Sequence, residues 1–258
     1  MRDALLACAL VVAGLGAQQP PAAAGEVRIA AASDLRFALD QVIAGYRQVN
    51  PRARITVTYG SSGNFHAQIV QGAPFDLFLS ADVDYPRDLV AKGRADGATL
   101  FNYAIGRLVL WVPASSPLAL DVGMPILLDA RIGRIAIANP LHAPYGRAAE
   151  AAMRASGVWS RVEGKLVRGD SVSQAAQFAT TGAADIGIIA RALAFAPEMR
   201  ARGRYWEIPP TLHPPLEQAG VVLTGAADRA AALAFRDYLR GDAASRLLVR
   251  HGFVLPGR

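Results

Sequence analysis

Four short stretches of this chain place hydroxyls and backbone N–H groups where a helix would begin. They are Ala30 to Leu35 (AAASDL), Thr58 to Phe65 (TYGSSGNF), Asn139 to Arg147 (NPLHAPYGR) and Arg168 to Gln174 (RGDSVSQ). Each follows a β-rich run. In α/β sheets ligands gather outside the carboxyl ends of strands. A helix N-terminus there offers unpaired N–H groups and a partial positive charge. Taken singly, each stretch is equally an ordinary cap or turn, because Ser and Asp cap helices for purely local reasons. Taken together, four such starts in both halves of the chain would line a cleft with neutral donors. Hydrogen bonds to a charged group are worth roughly 1.5–3 kcal/mol each before desolvation. Several converging donors would hold a small dianion without a cationic side chain. Donors without acceptors also favour a fully ionised oxyanion over one that carries a proton.

Other chemistries fit less well. The spacing G-S-S-G at Gly60–Gly63 is not the G-x-S-x-G of a hydrolase elbow, and no Lys follows Gly63 as a P-loop requires. His66, His142, His213 and His251 sit in no catalytic motif, although His66 lies close to Ser62 in sequence. No His, Cys or carboxylate cluster has metal-ligand spacing. No catalytic residue, cofactor site or direct metal ligand is therefore expected. His142 reads as a loop residue, Arg147 as a solvated charge, and Asp76 and Asp82 as caps or turn formers.

The elements that must position these stretches follow from length and pattern. The chain has 258 residues, of which 52% are hydrophobic and 19% charged, enough for one large or two modest cores. A single cysteine excludes a disulfide-stapled miniprotein, and the apolar content excludes a disordered chain. The net charge of +6 admits an anionic partner without saying which. Only Lys92 and Lys165 are lysines among 27 basic residues, which reads as coding bias. Residues 4–15 form an apolar run behind Arg2, followed by Gln18, Gln19, Pro20, Pro21 and three alanines. That order predicts a secretory signal peptide over residues 1–24, cut near Ala24 and taking Cys8 with it. The run is too short for a membrane span, which needs about 20 apolar residues.

Beyond it, β-rich runs alternate with helix-period segments. The runs are Val27–Ala31, Arg54–Tyr59, Phe75–Ser80, Leu108–Val112, Arg134–Ala138, Lys165–Arg168, Asp185–Ile189 and Gly220–Leu223. Helical stretches are expected near 35–48, 64–71, 84–91, 146–156, 172–180, 228–240 and 243–250. Such alternation predicts an α/β fold with mainly parallel sheets. Crossings between two lobes are expected at Asn102–Gly106 and in the Pro-rich stretch Pro209–Pro215. Lobe I would then comprise 26–105 plus 219–258, and lobe II 106–218.

With these residues in view, the chain resembles the periplasmic molybdate-binding proteins of ABC-type molybdate importers. The resemblance rests on Ala30–Leu35, Gly60–Asn64 (GSSGN), Gln71–Asp82 (QGAPFDLFLSAD), Asn139–Gly146 (NPLHAPYG), Gly169–Val172, Ala184–Ile189 and Tyr238–Phe253. It implies a two-lobed solute-binding fold, a mainly parallel sheet in each lobe and a ligand cleft between them. It implies a tetrahedral oxyanion, molybdate or tungstate, whose oxygens are contacted by Ser33, the amide of Asp34, Ser62, Tyr145 and the amide of Val172. Some members carry a tyrosine just after the Gly-Ile strand. Here that position is Ala190, and the resemblance lets Tyr145 take over its hydroxyl. The Asp34 carboxylate would repel a dianion in a dry cleft, so its side chain is expected to turn away. The resemblance further implies a periplasmic monomer that hands its ligand to an inner-membrane permease, with no enzymatic activity and no nucleic-acid partner. Alternative readings are a binder of sulfate or phosphate, a secreted hydrolase using a serine and a base, or the effector domain of a transcription regulator. The last would need a helix-turn-helix segment.

Overall fold

The computed structural model describes residues 25–257, so the expected signal peptide lies outside the described residues. Ten strands form two five-stranded sheets. The first sheet contains β1 (Glu26–Ala32), β2 (Arg54–Gly60), β3 (Leu77–Ser80), β4 (Phe101–Gly106) and β10 (Leu216–Val222), in the order β2-β1-β3-β10-β4. The second contains β5 (Leu108–Pro113), β6 (Ile135–Ala138), β7 (Leu166–Gly169), β8 (Ile186–Ala190) and β9 (Gly203–Glu207), in the order β7-β6-β8-β5-β9.

The α/β expectation holds, and four of the five strands in each sheet point the same way, as expected. One reversed strand makes each sheet mixed. β1 pairs parallel with β2 and β3, and β6 with β7 and β8, but β10 and β5 run antiparallel to both of their neighbours. The cause is the path of the chain. β5 enters the second sheet straight from β4, and β10 returns to the first sheet straight from β9, so neither is delivered by a crossover helix. The lobe boundaries expected from sequence also shift. Asn102–Gly106 is part of strand β4, which leaves Arg107 as the link to β5. β10 begins at Leu216, three residues ahead of the boundary expected at 219.

Helices cover the sheets. In the first half they are α1 (Arg36–Val49), α2 (Ser62–Val70) and α3 (Asp84–Ala91). In the second they are α4 (Pro144–Ala155), α5 (Trp159–Val162), α6 (Val172–Thr180), α7 (Arg191–Ala194) and α8 (Pro197–Arg202), and α9 (Arg229–Leu239) and α10 (Asp242–Arg250) follow β10. Helix α1 buries Ala38, Leu39, Val42, Ile43 and Tyr46, the one-sided spacing of an amphipathic helix. That face packs with Phe235, Leu239 and Leu248 of α9 and α10 on one side of the first sheet, and Phe65, Ile69 and Leu89 of α2 and α3 cover the other. The central strands of the second sheet are buried on both faces, so Ile135–Ala138 and Ile186–Ala190 read as continuous apolar runs.

Strand register places the site. β1 and β2 pair in step from Glu26↔Arg54 to Ala32↔Gly60, so they end level with each other. β6 and β7 end level in the same way, at Ala138↔Gly169. Each pair therefore delivers two chain segments to one sheet edge, and those segments are the four stretches singled out from sequence.

Candidate functional site

The ends of β1, β2, β6 and β7 surround one small cavity. Ser33, Asp34, Ser62, Tyr145 and Val172 all line it, with Gly60, Ser61, Ala81 and Pro144 among their neighbours. Among the described residues, no Lys, Arg or His side chain contributes to this lining. All five residues expected from sequence are thus gathered in one place.

The local structure explains what each presents. Ser61 is the N-cap of α2, its hydroxyl accepting from the Asn64 amide at 3.4 Å, so Ser62 is the first helical residue. Ser171 caps α6 in the same way, accepting from the Gln174 amide at 3.3 Å, and Val172 follows as the first helical residue. Pro144 opens α4 with its φ already helical and no N–H to satisfy, which puts Tyr145 in the first turn. First-turn amides have no partner within their helix. Those of Ser62, Tyr145 and Val172 are therefore the donors these helices offer. Ser33 caps no helix; it is the first residue of a short 3-10 turn, Ser33–Leu35, behind Ala32.

Both cavity serines have their oxygen fixed by an amide. The Ala81 N–H donates to Ser62 Oγ at 2.9 Å, and the Ser173 N–H donates to Ser33 Oγ at 3.3 Å. A hydroxyl has one proton and two lone pairs. With a lone pair already engaged, what each serine offers a ligand is its proton. Ser33 and Ser62 are 3% and 1% exposed, so a ligand meeting them is largely out of water.

Asp34 and Tyr145 meet each other through their side chains. The Tyr145 hydroxyl donates to Asp34 Oδ2 at 2.9 Å, and Gln218 Nε2 donates to the same oxygen at 2.5 Å. The tyrosine hydroxyl is thus hydrogen-bonded to Asp34, and the first-turn amide of Tyr145 is a donor left without a helical partner. The Asp34 carboxylate turns into the junction between the two halves of the chain, where three side chains from β1's end, α4 and β10 meet. Its Oδ1 has no hydrogen-bond partner among the described residues. Burial raises its pKa to about 6, against the opposing bonds from Gln218 and Tyr145. Burial likewise raises the Tyr145 hydroxyl, helped by the neighbouring Asp34.

Gln218, Ser173 and Ala81 were not singled out from sequence. Ser173 lay inside a quoted stretch and Ala81 inside Gln71–Asp82. Gln218 gave no signal, since it stood ahead of the expected run Gly220–Leu223, yet it is fully buried. Arg147 is not a free solvated charge. It pairs with Asp82 at 2.5 Å and donates to the Tyr85 hydroxyl at 3.0 Å. Asp82 does act as a turn former, accepting from the Asp84 amide. Asp76 is more than a cap. It is a fully buried carboxylate that takes Arg28 through its backbone N–H, Nε and Nη2.

Residues 27–254 match the family of bacterial extracellular solute-binding proteins. The chain belongs to that family. Among its relatives, the molybdate-binding protein ModA of Rhodobacter capsulatus is 38% identical over 234 residues, covering 91% of this chain and 90% of the relative. A putative ABC transporter substrate-binding lipoprotein of Bacillus subtilis, YvgL, is 27% identical over 97% of this chain and 96% of its own length. The solved structure of the Azotobacter vinelandii periplasmic molybdate-binding protein superposes with a TM-score of 0.84 at 30% identity, covering 90% of this chain and all of that one. In this solute-binding protein, then, the cavity lies between strand ends of the two sheets, as the two-lobed fold requires.

Proposed function

We propose that this solute-binding protein captures molybdate, and tungstate with it, and delivers the anion to the membrane permease of an ABC importer. The observation that carries the reading is the donor set. Two hydroxyls with amide-fixed oxygens and first-turn amides from both halves face one small cavity lined by no cation. Ser33, the Asp34 amide, Ser62, the Tyr145 amide and the Val172 amide are the proposed contacts to the four oxygens. Such a set favours an anion without protons, because an O–H in the cavity would find few acceptors. The names of the relatives select molybdate from the tetrahedral dianions.

In this reading the chain forms two lobes, 26–105 plus 219–258 and 106–218, with the ends of β4 and β10 corrected as above. It works as a monomer in the periplasm, after removal of residues 1–24. It carries out no chemistry. The base nearest Ser62 in sequence, His66, is drawn to Asp88 at 2.5 Å instead, and the Ser62 oxygen is held by an amide.

Calorimetric titration with molybdate, tungstate, sulfate and phosphate tests the proposal. Saturable heat is expected with the first two. Binding of sulfate or phosphate with no heat from molybdate or tungstate would overturn the choice of ligand.

A further inference from the structure

The two halves also meet at the rim of the cavity, through residues that flank the proposed ligand contacts without being among them. On one side stand Ser61 and Gly63, either side of Ser62, together with Asp82 and Tyr85. On the other stand His142 and Arg147, either side of Tyr145. The Gly63 amide donates to the His142 carbonyl at 2.9 Å, and Ser61 Oγ lies 2.9 Å from His142 Nδ1. Arg147 Nη2 pairs with Asp82 Oδ2 at 2.5 Å, Nη1 donates to the Tyr85 hydroxyl at 3.0 Å, and the guanidinium lies 5.5 Å from the Tyr85 ring centre.

Each of these contacts spans the first-sheet and second-sheet halves, so each forms only when the halves are together. Gly63 is what lets the faces meet. A Cβ there would lie 2.6 Å from the His142 carbonyl oxygen and 2.7 Å from the Tyr85 hydroxyl. The first of these is backbone and has no rotamer by which to yield.

We propose that Arg147 and Gly63 form a latch on the closed state, which sets how long the bound anion is held without touching it. The proposal rests on the solute-binding reading above. A latch made only on closure slows release and leaves the encounter rate alone. Exposed ion pairs are worth little singly. Arg147, 41% exposed, adds a neutral hydrogen bond and a ring contact to its pair with Asp82.

Stopped-flow release of molybdate from the whole protein tests this. Arg147→Gln should release it about 3–10-fold faster, with association within about twofold of the original. Raised salt should speed release from the original protein and leave Arg147→Gln nearly unchanged, since salt screens the pair. Gly63→Ala occupies a helical position where Ala is the better helix former, so the fold should hold. Yet the added methyl should wedge the rim open and speed release by about tenfold or more. X-ray scattering of Gly63→Ala should show less compaction on adding molybdate. Ligand-free melting of both variants should stay within about 3 °C of the original.

Release at the original rate from Arg147→Gln, or full compaction of Gly63→Ala, would overturn the latch. A fall in ligand-free melting large enough to explain the faster release would also overturn it, in favour of a structural role. If the original protein bound neither molybdate nor tungstate, the oxyanion reading would fail instead. The latch would then stand only if ligand-free Arg147→Gln and Gly63→Ala scattered as more extended particles than the original.

Discussion

Asp34, Tyr145 and Gln218 join the two halves in the interior, whereas Arg147, Asp82 and Tyr85 join them at the surface. The inner group is a carboxylate held by two neutral donors with no cation bonded to it. The outer group is an ion pair with both partners in contact with water. By charge alone the outer contact would be the stronger. Burial reverses the order. Inside, each polar atom without a partner carries its full desolvation penalty. At the rim, water and salt stand ready to replace any bond that breaks. The inner group is therefore expected to govern stability and its pH dependence, the rim the lifetime of the closed state, and the cavity between them affinity.

Adjacent serines give the sharpest way to break that division. Both line the cavity, but Ser62 Oγ accepts from the Ala81 amide whereas Ser61 Oγ meets His142 at the rim. Ser62→Ala should weaken molybdate binding by about 10–100-fold in calorimetry, the value of one hydrogen bond to a charged group. It should also cost some stability, because the Ala81 amide loses its acceptor. An unchanged affinity would remove Ser62 from the site.

Asp34→Asn probes the inner group. The folded carboxyl value, about 6, lies above the unfolded 3.8, so the folded chain binds more protons between those pH values. Stability from this group therefore falls as pH rises through that window, and the whole cost is present above it. Asn does not titrate. The variant should gain on the original protein by at most ~3 kcal/mol near neutral pH, and the gain should shrink toward zero below about pH 4. Urea unfolding at several pH values reads this, and a gap independent of pH would show that Asp34 does not titrate as its burial implies.

The smallest effect is expected at the rim. Ser61→Ala removes the contact with His142 and the cap of α2, a loss of about 1 kcal/mol in helix stability. Affinity should fall no more than about fivefold, mostly through faster release. A loss as large as that of Ser62→Ala would erase the distinction between rim and cavity.

Local signals were legible in the chain. Helix α6 falls on Val172–Thr180, the segment read from its cap and periodicity, and α9 and α10 lie within a residue of their expected limits. Buried strands such as Ile135–Ala138 announced themselves as apolar runs. Strand β9 did not, because it is a half-exposed edge strand carrying Arg204 and Glu207, with no apolar run to read. β4 was read as a crossing for a similar reason, as Asn102 and Gly106 interrupt its apolar positions.

The sequence by itself determined that helices begin at these stretches, to within two residues, and hence roughly which amides are left without partners. Those are consequences of neighbours three or four positions away. It also carried the family, through motifs spread over the whole chain. Only the tertiary structure decided which donors share a cavity, that Ser33 and Ser62 have their oxygens fixed by amides, and that the Tyr145 hydroxyl meets Asp34. The physical reason is distance along the chain. Asp34, Tyr145 and Gln218 lie more than seventy positions apart, and Ser33 meets Ser173 across 140. No local pattern encodes such meetings, because they are set by sheet order and strand register once both halves have folded.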